Sequence, residues 1–191
     1  MKKIILTAAA VFAISFANAQ DKKDSGMGLA KGDVYVTGSL SSKSSSVSGS
    51  DTATEFAPSV GYFLTDNISL EAGFFTAKNG DVKSSLFGIG AAYNFNAKNQ
   101  FSSHVSLSLA TGSGTDIYDD PMMGPILFDY KATSLSLGYG VRYFVSNHFS
   151  LTADVAALNY TSVTPDGGDA ESTTELGLNM SNISLGLSYK F

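Results

Sequence analysis

The last ten residues, Asn182-Ile183-Ser184-Leu185-Gly186-Leu187-Ser188-Tyr189-Lys190-Phe191, decide the fold. Ile, Leu, Leu, Tyr and Phe take alternate positions, and Asn, Ser, Gly, Ser and Lys take the positions between them. Successive side chains of a strand point to opposite sides, so a sheet of such strands has one bulky apolar face and one face of small polar groups. An eight-stranded barrel has an interior only just wide enough for side chains to fill, and roughly thirty large apolar side chains cannot be placed inside it. The bulky face must therefore point outward, and only acyl chains tolerate a surface that apolar. A strand of this length also suits a tilted crossing of a bilayer.

Working back along the chain, seven more segments repeat the pattern. They are residues 34–40, 56–64, 68–76, 87–95, 101–111, 135–143 and 149–157. The cleanest is 87–95, where Phe87, Ile89, Ala91, Tyr93 and Phe95 alternate with Gly88, Gly90, Ala92 and Asn94. Period two without helical spacing between the segments predicts an all-β fold, an eight-stranded antiparallel up-and-down transmembrane β-barrel over residues 33–191. The connections at 65–67, 96–100 and 146–148 are tight, whereas those at 41–54, 77–83, 112–131 and 161–174 are expected to be mostly longer. Short turns on the periplasmic side and long loops outside are the habit of such barrels.

The start of the chain agrees. Lys2-Lys3, the apolar run 4–16 and Ala17-Asn18-Ala19 read as a secretory signal over residues 1–19, followed by a polar leader over 20–32. The apolar run is too short for a membrane-spanning helix. No cysteine is present, which excludes a disulfide framework and a thiol for lipid attachment. A net charge of −5 with no long basic run argues against nucleic acid as partner.

Two tight hairpins resemble each other. Tyr62-Phe63-Leu64-Thr65-Asp66-Asn67-Ile68-Ser69-Leu70 aligns without gaps to Tyr143-Phe144-Val145-Ser146-Asn147-His148-Phe149-Ser150-Leu151. With Pro58-Ser59-Val60-Gly61 ahead of the first hairpin, and the alternation throughout, the mature chain resembles the small OmpA/OmpX-like outer-membrane β-barrel family. The terminal Phe191, with Tyr189 two before it, is similar to the signal by which barrel-assembly machinery recognises its clients. The resemblance implies residence in the outer membrane after export through the periplasm, among lipid and lipopolysaccharide. An extracellular protein or host-surface ligand is the further partner it allows. Unlike the full-length OmpA type, no peptidoglycan-binding domain is expected after the last strand.

Four charged residues, Glu71, Arg142, Asp154 and Lys190, fall on the small-residue face and sum to zero. An isolated buried charge is costly, so they are expected to form a compensated network plugging the lumen, with Tyr35 and His104 adding hydrogen bonds. The competing expectation is that they sit in lumenal water without specific pairs. Enzymes of this architecture need a His beside a Ser or Asp at the outer rim or on the lipid-facing surface. Here His148 falls in a periplasmic turn and His104 is the fourth residue of an ascending strand, so no catalytic role and no cofactor are expected. Asp119-Asp120 before Pro121 lack the ligand spacing of a calcium loop and read as a solvated turn. Met122, Met123, Ile126, Leu127 and Phe128 form an apolar cluster in the third outer loop, which marks either a contact surface or a loop packed on itself. The function expected is a noncatalytic barrel serving envelope integrity or surface contact, with a narrow passive channel or a soluble ligand-binding barrel as alternatives.

Overall fold

The computed structural model describes residues 26–43, 53–120, 124–176 and 183–191, and no helix occurs among them. The expected signal peptide, the leader before residue 26, most of the first outer loop, and Met122 and Met123 lie outside the described residues. The strands are β1 (Val34–Lys43), β2 (Ala53–Phe63), β3 (Ile68–Asn79), β4 (Val82–Phe95), β5 (Phe101–Asp120), β6 (Gly124–Phe144), β7 (Phe149–Pro165), β8 (Glu171–Leu176) and β9 (Ser184–Lys190). Each pairs antiparallel with its neighbour, and the β1–β9, β7–β9 and β6–β7 pairings close a ring of eight strands. β8 and β9 lie end to end along β7: Val163 faces Glu171 at one end, and Phe149 faces Tyr189 at the other. Among the described residues the last barrel strand runs from Ser184, with β8 extending its line.

Facing follows the alternation. Phe87, Ile89, Leu107 and Leu185 are more than half exposed on the outside of the ring, at 54, 56, 53 and 63 %. Their neighbours in sequence, Gly88, Gly90, Ser106, Ser108 and Ser184, line the interior. Such an outer surface is stable only against lipid.

The strands overrun the expected segments. β5 and β6 run on to Asp120 and back from Gly124, β7 reaches Pro165, and β3 and β4 meet at a tight turn where Gly80 has φ of 59°. The third and fourth connections are therefore largely hairpin ladders instead of loops. The reason is physical: above the lipid both faces of a strand are wet, so the backbone ladder continues while the apolar code that reports it stops.

At the opposite end the two similar hairpins make the same turn. Leu64 and Val145 donate their N–H to the carbonyls of Ile68 and Phe149, both at 2.9 Å. The hydroxyls of Thr65 and Ser146 accept from the N–H of Ile68 and Phe149, at 2.9 and 3.0 Å. Phe63 and Phe144, equivalent in the two repeats, both point inward and are fully buried. The apolar core of the molecule, Leu29, Tyr35, Phe63, Ala97 and Phe144, sits at this turn end of the lumen.

Candidate functional site

The interior is divided by a floor. Residues 26–33 fold beneath the barrel mouth, where Leu29 donates its N–H to the Ala97 carbonyl at 2.7 Å and Gly32 to that of Phe63 at 2.7 Å. Gly28 is needed for the approach, because a Cβ there would lie 2.4 Å from the Lys98 carbonyl group. Lys190, inward at the end of β9, donates its ammonium to the carbonyls of Gly26 at 2.7 Å and Gly28 at 3.1 Å and lies 5.8 Å from the Phe144 ring centroid. Residues 26–28 are thus clamped across the mouth by a lumenal cation.

One further clasp lies outside the membrane-spanning strands. Asp66, in the first tight turn, accepts from Lys98 Nζ at 2.7 Å and from the Lys31 N–H at 3.1 Å. The Lys98 hydrogen bond first, and the Lys31 backbone bond second, hold its carboxyl below the ordinary value of 3.8. The stability it contributes is therefore present above that unfolded-state value and is lost as pH falls through the lower folded one. Acid titration of the melting midpoint should show a decline below about pH 4 in the wild type that is flatter in Asp66→Asn; parallel curves would remove the clasp.

Above the floor stand Glu71, Arg142, His104 and Asp154, met by Tyr35, whose ring is part of the floor. Tyr35 donates its phenol O–H to Glu71 Oε1, and the Arg142 guanidinium lies 4.7 Å from the Tyr35 ring centroid. His104 Nε2 and Asp154 Oδ1 are 2.8 Å apart. The structure thus joins Glu71, Tyr35 and Arg142 in one stack, joins Asp154 to His104, and sends Lys190 to backbone carbonyls. Among the described residues no direct ion pair links Arg142 to Glu71 or Asp154. Arg142 is 3 % exposed with Nε and Nη1 unbonded, and His104 Nδ1 and Thr152 Oγ1 nearby are likewise buried without a partner.

Glycines make room for these groups. A Cβ at Gly61 would lie 2.1 Å from the Tyr35 ring, and one at Gly140 would lie 2.0 Å from Asp154 Oδ1 and 2.5 Å from His104. Adding any side chain at either position must displace the pair it faces. The cluster lines a cavity of about 390 Å³, and a second of about 450 Å³ reaches Ser136 and Ser184. Removing the hydroxyl with Tyr35→Phe should leave Glu71 short of a buried donor and cost about 1–3 kcal/mol in a urea melt. An unchanged midpoint would separate Glu71 from any role in stability.

What sequence reasoning missed is the floor. Leu29 carries no signal of it in the sequence, whereas alternation places Phe63 and Phe144 inward beside Tyr62 and Tyr143. At the far end, β5 and β6 project past their neighbours as a two-stranded finger, with Asp116 opposite Phe128 and Asp120 opposite Gly124. Ile126 and Leu127 are exposed there, joined by Ile117 and Tyr118, while Phe128 is half-buried. Asp119 and Asp120 belong to the paired end of β5, not to a loop. Among the described residues no group of three or more His, Cys, Asp or Glu is placed to hold a metal ion. At the turn end, Tyr189 and Phe191 stack edge to face at 4.9 Å beside Phe149 and His148, forming part of an outward-facing aromatic girdle.

A closed antiparallel ring of eight strands, greasy outside and polar within, defines an integral outer-membrane barrel. The chain belongs to the outer membrane protein beta-barrel domain family, which it matches over residues 5–191. In solved structures it is similar to the N-terminal β-barrel domain of Pseudomonas aeruginosa OprF, with a TM-score of 0.59 and 19% identity over 85% of this chain and 100% of that one. It is also similar to Neisserial surface protein A (NspA), with a TM-score of 0.52 and 20% identity over 83% of this chain and 96% of that one. No curated protein matches the sequence.

Proposed function

We propose that this is a noncatalytic outer-membrane barrel, exported by its signal peptide, whose lumen is closed at the periplasmic end and whose outer hairpin makes contacts at the cell surface. The observation that carries the first part is the floor. Leu29, Tyr35, Phe63, Ala97 and Phe144 fill the mouth, and residues 26–33 are bonded across it. His104 and Asp154 pair within the lumen, away from both the rim and the lipid-facing surface where a substrate would arrive. Lumenal polar groups then serve to hold the barrel walls together and not to pass solute.

Planar-bilayer recording tests this directly. Wild-type protein should give no stable single-channel steps, and a variant lacking residues 26–32 should conduct. The two cavities above the floor favour a second reading, a narrow passive channel. Steady stepwise current from the wild type would establish that reading and remove the first.

The contact role rests on the projecting finger, which carries apolar side chains on both faces: Ile117 opposite Leu127 and Tyr118 opposite Ile126. Single exposed apolar residues are ordinary, but an apolar ladder held above the membrane is what a protein ligand buries. Deleting residues 118–127 should leave heat-modifiable barrel folding intact and abolish surface adhesion or complex formation. Adhesion that survives the deletion would count against the finger.

A further inference from the structure

Lys78 of β3 and Lys83 of β4 are direct cross-strand partners, both exposed on the outward face. Like charges directly opposite destabilise a sheet. Neither lysine has an ion pair or side-chain hydrogen bond among the described residues, in contrast to Lys98 and Lys190 at the other end, which are both engaged. Along the row Thr54 flanks Lys78 and Thr115 flanks Lys83, with the carboxylate of Asp129 a further strand away. Asp81, exposed in the turn two residues before Lys83, forms no ion pair with either lysine among the described residues. Lys131 stands on the same outward face of β6, opposite Ser113.

The position along the strands says what the pair is for. On the same outward face, four residues toward the membrane, lie Phe74 and Phe87, themselves a cross-strand pair and strongly exposed. Four residues of tilted strand are about 10 Å of height, within reach of a lysine side chain folded back toward the interface. Aromatic side chains at the acyl boundary with two unpaired ammonium groups just above them complement an amphiphile whose phosphates sit directly over its acyl chains.

We infer that Lys78 and Lys83 form a binding site for the phosphorylated sugar headgroup of lipid A in the outer leaflet, with Phe74 and Phe87 against its acyl chains. The ligand relieves the lysine–lysine repulsion, so the bound barrel is more stable than the free one. The inference is independent of whether the lumen conducts.

Native mass spectrometry of the folded protein in neutral detergent, titrated with hexa-acylated bisphosphorylated lipid A, tests the site. Wild type should bind, and the K78Q/K83Q double variant should bind about tenfold more weakly or worse. Dephosphorylated lipid A should bind both proteins weakly. K31Q, which removes a lysine at the periplasmic end, should bind as wild type does. Equal affinity of the double variant, or equal binding of the dephosphorylated lipid, would overturn the proposal. So would a loss in K31Q as large as in the double variant, because the attraction would then be net charge alone.

Discussion

Phe144→Ala should destabilise the barrel by about 3–5 kcal/mol, read from urea or thermal melting in detergent. Phe144 is fully buried in the floor, packed with Leu29, Phe63 and Tyr35, and its ring faces the Lys190 ammonium. Truncation leaves a cavity that the closed ring cannot collapse to fill, since strand spacing is set by the hydrogen-bonded ladder. It also loosens the seat of residues 26–33, so the same variant should admit small solutes from the periplasmic side. Phe149→Ala is the matched control. Phe149 lies in the same turn region but points outward and is 43% exposed, and lipid or detergent fills the space it leaves. Equal losses at the two positions would mean that the floor is no better packed than the girdle.

The second large effect concerns facing. Leu137→Arg should cost about 2–4 kcal/mol, because it puts a cation near the middle of the lipid-facing band of β6, where nothing pairs with it. Ser136 is the adjacent residue and lines the cavity of about 450 Å³, its hydroxyl donating to Asn159 Oδ1 at 2.7 Å. Arginine there enters polar space close to Asp154 and Glu55, which line the same cavity, and should cost much less. Reconstitution into liposomes followed by denaturant titration measures both. A reversed order of the two effects would invert the assigned faces.

The alternation from Phe87 to Phe95 and from Ile183 to Phe191 was fully legible because lipid and lumen make opposite demands on adjacent residues. The ends of the strands were not legible. Between Thr111 and Ile117 the outward residues turn to Thr111, Ser113 and Thr115, which suit a wet strand and a loop equally well, so the ladder shared with β6 left no trace in composition. The inward placing of Glu71, Arg142, Asp154 and Lys190 could likewise be read from parity alone. Their partners could not, because Lys190 is held by backbone carbonyls of Gly26 and Gly28 and every residue type carries a carbonyl. The pairing of His104 with Asp154 depends on a glycine on the strand between them, Gly140, whose role appears only once the register is known. The floor had a usable signal in the repeated Tyr-Phe of the two hairpins. Its other half, residues 26–33, is Gly-rich and looks like a linker until it is seen against the mouth.

The division of the lumen by that floor is tested most directly with a single thiol, which the cysteine-free chain permits. Ser108→Cys places it on the inner wall above the floor, and Asn147→Cys places a control in an exposed periplasmic turn. In proteoliposomes of known orientation, a membrane-impermeant thiol reagent added on the periplasmic side should modify position 147 and leave position 108 untouched. Modification of position 108 from that side at a rate comparable to the control would contradict a closed mouth.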